Sequence, residues 1–95
     1  MSAYVIIRIN INDPDQLKEY QQVAPSIIEK YHGKILARGG QVLSLEGPSE
    51  DRRIVIIEFP SLEMANSFYH SPEYTHAISL REGAANFEII AVEGI

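Results

Sequence analysis

The sequence predicts an α+β domain with the element order β-α-β-β-α-β, and three observations lead there. In residues 3–11 every odd position is apolar (Ala3, Val5, Ile7, Ile9, Ile11), which is the period of a strand with one dry face. Asp13-Pro14, Ser61 and Ser71-Pro72 are helix-start signatures, a capping side chain with proline at the first helical position in two of them. Residues 53–59 are rich in Ile and Val and stop at Pro60, as expected of a strand covered on both sides.

The first strand's even positions, Tyr4, Ile6, Arg8 and Asn10, are mixed, so its second face is partly polar. Asp13 caps the first helix and Gln16 stands where it can complete a capping box. Leu17, Tyr20, Ala24, Ile27, Ile28 and Tyr31 then form one apolar stripe at helical spacing. Pro25 sits inside that stripe and should kink or briefly interrupt the helix without ending it. Gly33 is expected to end it. Lys34–Arg38 is a second strand, bent at Gly39-Gly40, with Gln41–Glu46 continuing extended. Residues 47–51 form a turn before the third strand, Arg53–Phe59. Leu62–His70 and Pro72 to about Gly83 are two helical pieces, and Phe87–Glu93 is the last strand.

This order is the ferredoxin-like split βαβ arrangement, a four-stranded antiparallel sheet with the helices on one face. One domain spans 1–95. The open face would carry Ile6, Ile54, Ile56 and one set of the last strand, too apolar for water. A second copy is the simplest cover, so a homodimer with facing sheets is expected, burying more than about 1,000 Å² in total.

Composition narrows the function. The formal net charge is −5, and the densest basic cluster is Arg52-Arg53. Sequence-independent nucleic-acid binding needs several cations on phosphates, and none is expected here. The chain has no cysteine, which removes disulfides, thiolate nucleophiles and cysteine metal sites. Arg8 cuts the first apolar run, so it reads as neither a signal peptide nor a membrane span. A cytoplasmic location is expected by elimination.

Three signatures carry a resemblance. Tyr31-His-Gly-Lys-Ile-Leu-Ala-Arg-Gly-Gly40 is the first. The second is Ile57-Glu-Phe-Pro-Ser61 followed by Ala65, Phe68, Tyr69, Ser71, Pro72, Glu73 and Tyr74. Leu80-Arg81 with Val92-Glu93-Gly94 is the third. Together they resemble, over essentially the whole chain, the bacterial family known as domain of unknown function 1330. That family is similar to the dimeric α/β-barrel superfamily, in which two ferredoxin-like subunits pair their sheets. Its members include cofactor-free monooxygenases, lactone isomerases, haem-degrading enzymes and proteins with no known activity. The resemblance therefore implies fold and dimer, and leaves the reaction open. The chain departs from the pattern at His32, where a second glycine is usual, and at Phe68, where tryptophan is common.

Several residues are candidates for chemistry, each with a structural alternative. Arg38, followed by Gly39-Gly40, offers a planar fork for a carboxylate that a bare backbone lets approach. It is expected to face a cavity near His70; alternatively it pairs with an acid at a strand bend, with Gly39-Gly40 forming a bulge. Arg8 and Glu58 would share a face as an ion pair. His70, at the break between the last two helices, is placed as a general base. Tyr69 and Tyr74 crowd the same break, as hydrogen-bond donors to a ligand or as amphipathic core residues. Arg81 lies on the helical stripe Tyr74, Ala77, Ile78 and either lines a cavity or snorkels to the edge. His32 is a further ligand contact, or a cation comfortable at a helix C-terminus. Ser61 and Ser71 read as caps. No cofactor motif is present, and His70 and His76, six apart across a proline, do not have a metal-ligand spacing.

Two hypotheses follow. One is a cofactor-free enzyme acting on a small anionic compound between sheet and helices, with Arg38, Gly39, Gly40, Arg81 and His32 holding it and His70, Tyr69 and Tyr74 orienting it or moving a proton. The other is a non-catalytic binding or scaffolding homodimer, whose core would be filled where the enzyme has a pocket.

Overall fold

In the computed structural model, which describes residues 1–95, seven elements form two layers. They are β1 (Ala3–Ile11), α1 (Pro14–Lys30), β2 (Lys34–Arg38), β3 (Arg53–Phe59), α2 (Leu62–Tyr69), α3 (Pro72–Leu80) and β4 (Ala85–Glu93). The strands make one antiparallel sheet in the order β2-β3-β1-β4. The chain thus has the ferredoxin-like α+β fold.

Sequence alternation sets the layers. Ala3, Val5, Ile7 and Ile9 of β1 are buried under the helices, with Ile57 and Phe59 of β3 beside them. Leu17, Tyr20, Ala24 and Ile28 supply the buried stripe of α1; Ala65, Phe68, Tyr74 and Ala77 supply those of α2 and α3. The caps are as expected. Asp13 accepts from the Gln16 amide, Ser61 from Met64 and Ser71 from Tyr74. Gln16 does not close a capping box; its side-chain amide donates to the Glu82 carbonyl at 2.8 Å.

Several expectations change. Helix α1 runs through Pro25 without a break. Proline inside a helix costs about 3 kcal/mol, and the stripe on either side, buried from Leu17 to Ile28, holds the helix together. His32, not Gly33, takes the left-handed position after α1, with φ 65°. The Gly33 amide donates to the Ile28 carbonyl and the His32 amide to Glu29, closing a Schellman motif. Gly33 is needed for room instead, since a Cβ there would stand 2.7 Å from Ile28 Cγ2 and 2.8 Å from Phe59 Cε1. Residues 40–52 form no strand. Finally, Arg8 and Glu58 do not pair: Arg8 lies opposite Ile54 and Glu58 opposite Tyr4. Arg8 Nε instead meets Glu50 Oε1 at 3.2 Å, and the Tyr4 hydroxyl reaches Glu58 at 3.4 Å.

The irregularity in β2 falls at Leu36, between Ile35 and Ala37, and not at Gly39-Gly40. Gly39, at φ +68°, lets the Arg53 guanidinium rest on it; a Cβ would stand 2.4 Å from Arg53 Cζ.

Candidate functional site

The β4 strand and the α2–α3 pair leave a cavity of about 860 Å³ between them. Val5, Ile89 and Ala91 floor it, Ala65, Phe68 and Ile78 roof it, and Tyr69, His70 and Arg81 face into it. The local sequence explains the opening. Ser71 is buried; its hydroxyl donates to the Phe68 carbonyl at 2.8 Å and accepts from the Tyr74 amide, so one side chain ends α2 and starts α3. The short helices therefore diverge around His70, and their gap is not filled. His70 Nδ1 lies 3.1 Å from the Asn66 carbonyl oxygen.

Arg81 is the most unusual group in the cavity. Its guanidinium carbon lies 3.7 Å from the Phe87 ring centroid and 5.5 Å from that of Tyr20. It pairs with no carboxylate, and its buried Nε has no hydrogen-bond partner. The residue is half-buried, and an arginine held over an aromatic face without a carboxylate partner is a ready receptor for an anion. Glu63 and Glu93 also line the cavity. Glu93 is six residues from Phe87 along β4, about 20 Å at strand rise. Glu63 opens α2, beside the end of β3 where Phe59, Ala3 and Glu93 align. The cavity is thus cationic at one end and acidic at the other.

The sequence-predicted residues divide. Tyr69, His70 and Arg81 come together in this cavity. Tyr74 does not line it; it is fully buried, and its hydroxyl meets that of Tyr20 at 2.6 Å. Burial, and then the Tyr74 hydroxyl, push the Tyr20 hydroxyl well above the ordinary tyrosine range. Arg38 is not near His70. It lines a separate cleft of about 320 Å³ with Arg53, Gln21, Tyr20 and Phe87, because β2 and β4 are opposite edges of the sheet. Gly39 and Gly40 follow Arg38 outside the cavity, and His32 is exposed beyond α1. Sequence reasoning missed Phe87, Asn66, Glu63 and Glu93. Only Phe87 carried a signal, as the aromatic on the inward set of β4.

The fold and this sheet–helix cavity define the class: a ferredoxin-like α+β domain with a cavity between its sheet and its last two helices. The chain belongs to the family described as domain of unknown function (DUF1330), whose sequence model matches residues 2–95. Among solved structures it is similar to a protein of unknown function from Rhodopseudomonas palustris, at 21% identity and TM-score 0.72, covering 99% of this chain and 82% of that one. It is also similar to a dimeric ferredoxin-like protein of unknown function from Jannaschia sp. CCS1, at 11% identity and TM-score 0.72, covering 99% and 100%. SnoaB, a cofactor-independent oxygenase from Streptomyces nogalater, is similar at 8% identity and TM-score 0.69, covering 99% and 93%. No curated protein matches the chain in sequence. No helix is long and apolar enough to cross a membrane.

Proposed function

We propose that this chain is a homodimeric small-molecule-binding protein whose ligand has an apolar body and one anionic group. The observation that carries this reading is Arg81, an unpaired guanidinium lying on Phe87 inside the cavity. The volume of about 860 Å³ lies in the range of small-molecule sites, and ten of its sixteen lining residues are hydrophobic. The anionic group would meet Arg81, with Glu63 and Glu93 repelling it from the far end. An unfilled cavity argues against a pure scaffold. The dimer is supported by the open sheet face, where Ile90 and Val92 are 54% and 50% exposed, and by the dimeric ferredoxin-like protein from Jannaschia.

A cofactor-free catalytic version of the same reading is favoured by one feature, the placement of His70 and Tyr69 on the cavity wall. There they would orient the ligand or move a proton, as the similarity to a cofactor-independent oxygenase suggests. Native mass spectrometry of freshly purified protein tests the binding reading. A small acid released from the wild-type dimer, and absent from Arg81→Met, supports it. The same compound retained by Arg81→Met would overturn it.

A further inference from the structure

The cleft of about 320 Å³ that holds Arg38 lies between α1 and the β2–β3 side of the sheet. Its floor is aliphatic, with Ile7 and Ile9 of β1, Val55 and Ile57 of β3 and Ile35 of β2. Helix α1 opposes them with Ala24 and Pro25, side chains too short to fill the gap. No Asp or Glu lines this cleft, whereas Glu63 and Glu93 line the larger cavity. Phe87 is a wall of both.

The strand register puts two cations at one end of the cleft. Arg38 stands opposite Val55, and Arg53 is two residues from Val55 along β3, so both project from the helix side as diagonal neighbours. Such neighbours are about 7–8 Å apart, within reach of long side chains. Bare backbone seats the Arg53 fork, since a Cβ on Gly39 would stand 2.4 Å from Arg53 Cζ. Neither arginine has a carboxylate partner. The chain has 13 Asp and Glu against 8 Lys and Arg, and Arg8, Lys18, Lys30 and Arg52 all form ion pairs. Of the cations left over, Lys34, Arg38, Arg53 and Arg81, all but Lys34 line one of the two cavities. Two guanidinium groups held side by side without a counter-charge complement a group that carries two negative charges.

We propose that this cleft is a second binding site, for a small phosphate monoester with an apolar body. Arg38 and Arg53 hold the phosphate between them, and the body lies toward Ile35 and Ile57, which pair at the other end of the cleft. A phosphate monoester carries about −1.5 to −2 charge at pH 7 and three acceptor oxygens, enough for both forks. A carboxylate fills one fork and leaves the other guanidinium unpaired. The volume is near the lower end of the range for small-molecule sites, so the body is small. The site is on the helix side of the sheet, apart from Arg81 and from the face that a dimer would cover, and does not depend on the proposed function.

Titration of the Arg81→Met protein with phenyl phosphate, followed by amide NMR shifts, tests it, because the larger cavity then has no guanidinium to compete. The amides of Gly39, Gly40 and Ile54 should shift and saturate. Arg38→Met and Arg53→Met, each added to that protein, should weaken binding at least about tenfold, the worth of one charge-assisted fork. Arg38 is exposed and Arg53 half-buried, so both variants should keep the fold. Arg53→Lys, which keeps the charge and loses the fork, should bind more weakly than its parent and more tightly than Arg53→Met. Absence of saturable shifts at these amides, or an affinity unchanged by Arg38→Met and Arg53→Met, would overturn the site. Benzoate bound as tightly as phenyl phosphate would overturn the dianionic head, and inorganic phosphate bound as tightly would overturn the apolar body. Each of these failures leaves the reading of Arg81 standing.

Discussion

Arg81 lies over the Phe87 ring, 3.7 Å from guanidinium carbon to ring centroid, with a buried Nε that donates to nothing. Stacking on an aromatic face is worth about 0.5–2 kcal/mol, while a buried unbonded donor costs about 1–3 kcal/mol. The two roughly cancel, so this arginine contributes little to folding. Arg81→Met, which keeps the stem packed on Phe87, should leave the unfolding free energy measured in urea within about 1 kcal/mol of wild type or raise it. A loss above about 2 kcal/mol would make Arg81 a structural residue.

His32 occupies a left-handed position that glycine takes without strain. His32→Gly should stabilise the protein by about 1 kcal/mol, since the left-handed conformation costs a side-chain-bearing residue about 1–2 kcal/mol and the more flexible unfolded chain takes part of that back. Equilibrium denaturation reads the difference. Gly33→Ala should do the reverse, because its methyl would press on Ile28 and Phe59.

The Tyr20 and Tyr74 hydroxyls meet at 2.6 Å in the core. Either Tyr→Phe change leaves the other hydroxyl buried without that partner, a cost of about 1–3 kcal/mol. The double variant Tyr20→Phe/Tyr74→Phe should be less destabilised than the sum of the two. A strictly additive cycle would mean that the hydroxyls do not depend on each other.

Glu50 anchors the connection between β2 and β3. Hydrogen bonds from Arg52, and the charges of Arg52 and Arg8, hold its carboxyl at about 2, below the ordinary 4.5. A depressed folded-state value stabilises at pH above about 4.5, and that contribution is lost as the pH falls toward about 2. Thermal stability should therefore drop over this window, and Glu50→Gln should flatten the drop while lowering stability at neutral pH. An unchanged acid profile in Glu50→Gln would show that the pairs around it are solvated.

The fold was legible because its signals are local. Odd-position burial in β1, the stripe of α1, and the Asp13, Ser61 and Ser71 caps all lie within a few residues of their causes. The site was legible only in part. Tyr69, His70 and Arg81 could be grouped because the break at Ser71 brings one short run of chain together. Arg38 could not be placed. Its position depends on β2 being the edge opposite β4, a tertiary fact. Its facing depends on the bulge at Leu36, which moves the following residues to the other side of the sheet. Phe87 beneath Arg81 joins two elements through packing, which no spacing records. Pro25 does not end α1, as expected, because the buried stripe on either side of it outweighs the local rule.

The most direct measurement is calorimetric titration of the wild type and Arg81→Met with 2-naphthoate and with its neutral amide, both carrying the same apolar body. The account predicts that wild type binds the carboxylate at least about tenfold more tightly than the amide, the worth of one charge-assisted bidentate contact of about 1.5–3 kcal/mol. Arg81→Met should abolish that preference while still binding the amide. Equal affinity for both compounds in the wild type, or a preference that survives Arg81→Met, would contradict it.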